Sequence, residues 1–386
     1  MVAHAQQTAF FGTVIDAGTR ETLPFASIYI NKENSTIANQ EGGFVVRADS
    51  VDVARISFVG YKSRQIPCGQ LSSVVELQPI EQVLKEVVVL PYPLKTFVRR
   101  TTKETLRMLQ KFRKRKSTFF YRQTAFSDST CYELVEAFLT GNSAVSLRNL
   151  QLASGRYAGI RPDSIHEYSF FGNFFTFSQI DIASKKEWPL WGDDIIPLFR
   201  NYHIFYDVDY DIIGDVPERI IALRFNPKPE IARPILQATI YVDEQTMHVR
   251  KLVGQGRNIA VLHTKQVLGT DSVVKAVKKL YRTNFNFVVN MTEERGFVEV
   301  QSVYIDELHA QGNTLQSTRS IIFNLGEQQE RDKGRQLEFS ANLHRVIEQQ
   351  EYDPEFWRQN EIVRRTPMEQ DVLDLFEDKQ LFGVWK

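Results

Sequence analysis

The sequence predicts a mainly β protein in two parts: an N-terminal seven-stranded β-sandwich, then a larger antiparallel curved sheet or half-barrel with packed helices. Three observations predict it. From Phe10 to Leu77, short period-2 apolar segments are separated by turn residues about every eight to twelve positions, the spacing of a small sandwich. From Phe119 to Asn324, longer amphipathic strand segments follow one another with turns between them. Helical patterns stand on either side of that second series. The expected order is residues 1–7 as a signal-peptide remnant or disordered start, 8–80 as the sandwich and 81–93 as a linker. Residues 94–116 follow as a basic amphipathic helix, 117–350 as the half-barrel-like sheet and 351–386 as capping helices.

In the first part, Thr13-Val14-Ile15 runs into the turn Asp16-Ala17-Gly18-Thr19, and Pro24 to Ile30 forms the next strand with Ala26, Ile28 and Ile30 on one face. Glu41-Gly42-Gly43 reads as a hairpin turn, because glycine accepts the positive φ such turns need, and Phe44-Val45-Val46 resumes the strand. Val53 to Val59 and Val74 to Leu77 close the set. Ahead of it, Ala3-His4-Ala5 fits the small-x-small pattern that precedes signal-peptidase cleavage, which points to export.

Four motifs make this part specific. Gly12-Thr13-Val14-Ile15-Asp16, Leu23-Pro24-Phe25-Ala26-Ser27-Ile28, Asn39-Gln40-Glu41-Gly42-Gly43-Phe44 and Ile56-Ser57-Phe58-Val59-Gly60-Tyr61-Lys62 occur in this order. Together they resemble the carboxypeptidase-regulatory-like domain, a transthyretin-like sandwich common in cell-envelope proteins of the Bacteroidota. The resemblance implies a structural or docking module without peptidase chemistry, located in the periplasm or at the outer-membrane periphery. The sequence departs from that pattern at Asn39 and Glu41, where an Asp usually precedes the glycine turn. This weakens a cation site there and leaves the turn itself unaffected. Leu84 to Pro93 resembles the segment that follows this domain in TonB-dependent sugar transporters, but the 293 residues after Pro93 are too few for a plug and a large barrel.

After Pro93, Leu94, Phe97, Val98, Thr105, Met108, Leu109 and Phe112 share one helical stripe. Lys95, Arg99, Arg100, Lys103, Arg107, Lys111 and Lys114 take the opposite face. Lys95 to Lys116 holds ten basic residues and one acid, Glu104, a net of +9. Such a helix either packs on a sheet with its basic face in water or lies on an anionic surface through Arg99, Arg100, Lys103, Arg107 and Lys111.

In the second part, Phe119 to Thr124, Tyr132 to Ala144, Phe205 to Ile213, Arg219 to Phe225, Ala238 to Val242, His248 to Val253, Val273 to Phe287, Gly296 to Leu308 and Thr314 to Asn324 read as strands. Asp243-Glu244-Gln245-Thr246 is a hairpin turn, and the layout is similar to envelope half-barrels that carry lipoproteins. Phe120-Tyr121-Arg122-Gln123-Thr124, Glu133-Leu134-Val135-Glu136-Ala137 and Tyr352-Asp353-Pro354-Glu355-Phe356-Trp357 resemble the body of Bacteroidota proteins that join such a sheet to the regulatory-like domain. Among the strands, Phe170, Phe171, Phe174, Phe175 and Phe177, followed by Trp188 and Trp191, form either an apolar lining for a hydrophobic ligand or a plug of ordinary core.

Catalytic patterns are missing from the sequence. Its seven His carry no metal-ligand spacing, no Gly-x-Ser-x-Gly elbow occurs, and Gly254-Gln255-Gly256 lacks the rest of a phosphate loop. Asp207, Asp209 and Asp211 share one strand face, which reads as a solvated face or a weak calcium site before it reads as a glycosidase pair. Asp193-Asp194 and Glu293-Glu294 are the other carboxylate pairs. Cys68 and Cys131 read as two unpaired thiols. Thr366-Pro367-Met368-Glu369 is a capping box, Asp353-Pro354 starts a shorter helix, and Gly383 suits the helix stop. From Glu351 to Lys386, nine acids face five bases, and this acidic tail is the expected partner of the basic helix.

With 47 Lys and Arg against 47 Asp and Glu, the chain lacks the basic surplus of a dedicated nucleic-acid binder. No run of 18 apolar residues occurs, so no transmembrane helix is expected. The expected function is non-enzymatic binding or scaffolding in the envelope, without metal or cofactor. The expected partner is a hydrophobic ligand, a glycan or an outer-membrane or envelope protein. A carboxylate-based hydrolase in the second part and a membrane-surface adaptor working through the basic helix are the alternatives.

Overall fold

The computed structural model describes residues 8–31, 34–80, 90–112, 116–142, 151–160, 202–214, 218–232, 235–260, 282–294, 297–311, 314–327, 335–336, 346–347 and 350–385. The fold is mainly β, as the two periodicities predict. Seven strands build the sandwich: β1 (Thr8–Asp16), β2 (Ser27–Tyr29), β3 (Ser35–Ile37), β4 (Gly43–Ala48), β5 (Val53–Ser57), β6 (Arg64–Pro67) and β7 (Val74–Leu77). One sheet has the order β4-β1-β7 and the other β3-β2-β5-β6, with Val14, Ala26, Ile28, Phe44, Ile56, Val75 and Leu77 between them.

The β3–β4 turn is held by one side chain. Asn39 Oδ1 accepts the amides of Glu41 and Gly43, both at 2.9 Å, and Gly42 takes φ +78° between them. A Cβ on Gly42 would lie 2.8 Å from the Val14 carbonyl oxygen, so this position requires glycine.

Helix α1 (Leu94–Phe112) leads into the large sheet, built from β8 (Lys116–Ser127), β9 (Thr130–Asn142), β10 (Gln151–Gly159), β11 (Tyr206–Ile213), β12 (Ile220–Pro227), β13 (Gln237–Asp243), β14 (Val249–Ala260), β15 (Arg282–Glu294), β16 (Phe297–Gln311), β17 (Thr314–Glu327) and β18 (Arg335–Gln336). The eleven strands run β11-β12-β13-β14-β15-β16-β17-β8-β9-β10-β18, all antiparallel. β8 and β9 are buried on both sides, and polar residues such as Arg122, Gln123, Glu133 and Glu136 are buried there along with the apolar ones.

One face of the sheet carries Tyr121, Val135, Leu223, Ile240, Phe287 and Val289, covered in part by Phe97 and Val98 of α1. Thr105, also buried on α1, accepts the Val249 amide. The helix therefore packs Phe97, Val98 and Thr105 against the sheet and turns Lys95, Arg99, Arg100, Lys103 and Arg107 to solvent.

The other face carries the C-terminal cap: β19 (Glu351–Tyr352), α2 (Pro354–Gln359), α3 (Pro367–Asp378) and β20 (Val384–Trp385). Phe120, Leu134, Ala158 and Phe323 of the sheet meet Trp357, Val363, Leu373, Phe376 and Phe382 of the cap. Both helices start as the sequence predicts, with Asp353 capping α2 and the Thr366–Glu369 box closing on α3. The stop of α3 differs from expectation. Gln380, not Gly383, takes the left-handed conformation that ends it, at φ +54°, and the Leu381 amide reaches back to the Phe376 carbonyl. Gly383, at φ +41°, bends the chain so that β20 pairs with β19.

Beneath the cap lies a buried ionic cluster. Glu136, fully buried, takes Arg122 Nε on Oε1 at 2.6 Å, Arg156 on Oε2, and Arg365 Nη2 on Oε2 at 3.4 Å. Glu369, Glu377 and Glu361 complete the outer sides of Arg122, Arg156 and Arg365 at 3.6, 3.6 and 3.3 Å. The acidic tail thus meets these buried arginines and not the basic helix, which lies on the opposite face. Burial by itself raises the Glu136 carboxyl, but Arg156, Arg365 and Arg122 override it and hold it far below the ordinary range.

The sandwich docks on this same face. Phe25 takes φ +63° and lays its ring 4.5 Å from that of Tyr304 on β16, and its carbonyl accepts Asn290 Nδ2 at 3.5 Å. Thr36 Oγ1 donates to the Ile362 carbonyl at 2.5 Å, Asn39 Nδ2 to the Arg364 carbonyl at 3.1 Å, and Gln301 Nε2 to Ser27 Oγ at 2.8 Å.

Two outcomes follow from these contacts. Glu136→Gln leaves three guanidinium groups without their shared carboxylate and is expected to cost about 3–5 kcal/mol in urea unfolding at pH 7. A depressed carboxyl contributes stability above its unfolded pKa and loses it as the pH falls, so the gap between variant and wild type is expected to narrow below about pH 4. Phe25→Gly relieves left-handed strain of about 1–2 kcal/mol but surrenders ring burial of about 2–3 kcal/mol. The sandwich core is expected to stay intact while docking weakens, seen as one unfolding transition splitting into two.

Candidate functional site

Docking leaves a cavity of about 620 Å³ between sandwich and sheet. Arg55, Ser57 and Phe58 line it from the sandwich, and Thr246, Arg250, Lys251, Asn290 and Gln301 from the sheet. It lies on the cap face, because Lys251, Asn290, Ser302, Phe323, Phe120 and Phe138 are register partners in one row across β14, β15, β16, β17, β8 and β9.

The charges in the cavity are unequally matched. Asp243 accepts the amides of Gln245 and Thr246 at 3.1 and 2.9 Å and pairs with Arg250 Nη2 at 2.9 Å. Burial pushes the Asp243 carboxyl up, while the Thr246 amide and Arg250 pull it further down, leaving it below its ordinary value. Lys251 has no such partner. It is 7% exposed, its Nζ sits 3.9 Å from the ring centroid of Phe58, and it makes no hydrogen bond or ion pair among the described residues. Burial lowers its pKa to about 8. Phe58 is positioned by the turn at Gly60, at φ +88°, and by Tyr61, whose ring meets it edge-on and whose hydroxyl donates to Asp16 Oδ2 at 2.7 Å. The Ile56–Lys62 motif thereby supplies the sandwich wall of the site.

A second buried polar group lies on the opposite face. Glu133 accepts Gln123 Nε2 at 3.0 Å on Oε1, and its Oε2 has no partner among the described residues. Burial raises its pKa to about 7, against a lowering by the Gln123 hydrogen bond.

The residues singled out from sequence are distributed differently. Phe170, Phe171, Phe174, Phe175, Phe177, Trp188, Trp191 and Asp193-Asp194 lie outside the described residues, as do the side chains of Lys111 and Glu293-Glu294. Arg99, Arg100, Lys103 and Arg107 are exposed on α1, with Arg100 over Tyr92 at 4.0 Å and Arg107 paired with Glu104. Asp207, Asp209 and Asp211 form an exposed face, and Arg224 bridges the last two. Cys68 and Cys131 are separate buried thiols. Among the described residues no three His, Cys, Asp or Glu are placed to hold a metal ion, and no helix is long and apolar enough to cross a membrane. Lys251 and Arg55 escaped the sequence reading. The available signal was a lysine within a strand whose neighbours, Val249 and Leu252, are core residues.

Residues 10–89 match the model of the CarboxypepD_reg-like domain. This is the sandwich together with the segment that follows it, about a fifth of the chain. No curated protein matches. Among solved structures, a LolA superfamily protein from Nitrosomonas europaea has 6% identity and a TM-score of 0.23 over 58% of this chain and 92% of its own. The MucA/MucB complex of Pseudomonas aeruginosa has 8% identity and a TM-score of 0.18 over 58% and 94%. Likenesses this loose bear on neither fold nor function.

The unpaired ammonium gives a measurable outcome. With a folded pKa of about 8 against 10.5 for the ordinary lysine, burial costs stability below pH 8, and the cost disappears as the pH rises toward 10.5. Lys251→Met is therefore expected to stabilise the protein by about 2–3 kcal/mol at pH 7 and by nothing measurable near pH 10.5, read by denaturant unfolding at the two values.

Proposed function

We propose that this is a non-enzymatic binding protein of the cell envelope, and that its ligand site is the cavity between the CarboxypepD_reg-like domain and the curved sheet. The observation that carries the reading is the wall structure: neither part encloses the site alone, and the sandwich is fixed against the sheet by hydrogen bonds and a buried aromatic contact. A cavity of about 620 Å³ is in the size range of small-molecule sites. Export to the periplasm or outer-membrane periphery is part of the proposal, supported by the domain match and by Ala3-His4-Ala5.

The hydrophobic-ligand reading rests on the Phe-rich segment and stays attached to it. The hydrolase alternative loses Asp209 and Asp211 as a free pair, since Arg224 holds both. The adaptor alternative keeps an exposed basic face, but α1 has no apolar stripe left at Phe97 and Val98 to insert into lipid.

Ser57→Trp fills the cavity from the sandwich wall. Protein purified from its native envelope is expected to retain a small molecule, seen by native mass spectrometry, that the variant lacks at unchanged fold by circular dichroism. Equal retention by both would place the ligand elsewhere.

A further inference from the structure

The chemistry of this cavity narrows what it can hold. A buried ammonium without a partner carries a large desolvation cost, and folds retain such groups where function demands them. Lys251 is of this kind, its Nζ lying over the Phe58 ring at 3.9 Å. Arg55, on the opposite wall, is exposed to solvent and makes no ion pair among the described residues; its guanidinium lies 5.4 Å from the Tyr29 ring centroid. The remaining charged lining groups, Asp243 and Arg250, neutralise each other. The cavity therefore presents one buried positive charge without an ion pair on the sheet wall and a second, solvent-exposed one on the sandwich wall.

A neutral apolar ligand would leave Lys251 as costly as before, and a cationic one would be repelled. An anion offsets the cost, and beside the buried Lys251 ammonium the gain is larger than between fully exposed groups. The remaining walls favour a polar ligand: Ser57, Ser63, Thr246 and Thr292 bring hydroxyl groups to the cavity.

We propose that the cavity binds an oxyanion, a phosphate, sulfate or carboxylate group carried by a small ligand, between Lys251 of the sheet and Arg55 of the sandwich. The inference rests on the binding reading above and assigns the charge of the ligand. It also gives the docking a role in binding, since separation of sandwich from sheet would pull the two cations apart.

The test is isothermal titration calorimetry on the full chain with four probes: inorganic phosphate for the free ion, glycerol 3-phosphate for a lipid headgroup, glucuronate for an acidic sugar, and glucose as the neutral control. At least one oxyanion is expected to bind and glucose is not, and the strongest oxyanion identifies the source. Lys251→Met is expected to weaken that binding about 10- to 100-fold without lowering the melting temperature. Lys251→Arg is expected to keep most of it, and Arg55→Gln to weaken it by about 10-fold. Oxyanion binding unchanged in Lys251→Met, or absent for every probe, overturns the inference. Glucose binding as tightly as glucuronate, with loss in Ser57→Trp, overturns the oxyanion assignment and leaves the cavity as a ligand site. Equal retention of the native molecule by Ser57→Trp, by contrast, counts against the binding reading itself.

Discussion

The architecture depends on Glu136, a carboxylate with no exposed surface that collects three guanidinium groups under the C-terminal helices. Its effect extends beyond those pairs. Arg122, held on one side by Glu136, donates from Nη2 to the Val363 carbonyl at 2.7 Å. The carbonyls on either side of Val363 go the other way, Ile362 to Thr36 and Arg364 to Asn39 of the sandwich. The chain between α2 and α3, which bends at Val363, therefore runs between the two parts and bonds to both through three successive carbonyls. Fixing that segment fixes the sandwich, and the sandwich encloses the cavity.

A buried ion cluster is weak evidence of stability, because apolar residues of the same volume often do as well or better. What this cluster provides is placement. Each guanidinium offers directed donors, so the cap has few positions in which Arg122, Arg156 and Arg365 keep all their partners. An apolar interface of Phe120, Phe138, Trp357 and Phe382 alone would tolerate sliding by a side-chain width. Arg156 ties the two together: its guanidinium lies 4.8 Å from the Trp357 ring and 5.3 Å from that of Phe382 while it pairs with Glu136. Glu369 is also used twice, closing the α3 capping box and approaching Arg122.

Local signals were legible in the sequence and relations between distant segments were not. Period-2 spacing gave five of the seven sandwich strands, missing the short β3 and β6, and most of the large sheet, and the capping box at Thr366 formed as read. Strand β10 gave no such signal, since Gly155 and Gly159 interrupt its apolar pattern. The structure shows the reason at Gly155, where a Cβ would lie 2.6 Å from Ile347. The acidic tail was visible as a charge excess, but composition does not say which basic residues it meets. The clue lay in the strands, where Arg122 and Glu136 interrupt apolar runs that need partners on both faces. Those residues, with Tyr352 and Trp357, belong to the three segments that carried the resemblance in the second part. Lys251 was hidden for a related reason: the ring it lies over, Phe58, is nearly two hundred residues earlier and reaches it only after docking.

Asn39 shows how one departure from a family pattern acquires a physical meaning. As an expectation from sequence, replacing the usual Asp weakens a cation site and spares the turn. In the fold, Asn39 Oδ1 organises the turn as a carboxylate would, by accepting the amides of Glu41 and Gly43. Its Nδ2 does what a carboxylate cannot, donating to the Arg364 carbonyl at a site only 3% exposed. An Asp there would set a charged acceptor against a carbonyl oxygen in a buried interface, which is costly without a donor. The amide thus separates two requirements that one position must meet, closing a hairpin inside the sandwich and bonding the segment that joins it to the sheet. On this argument the asparagine suits a sandwich docked on the sheet. A CarboxypepD_reg-like domain that merely hung from its linker would have no use for the second hydrogen bond.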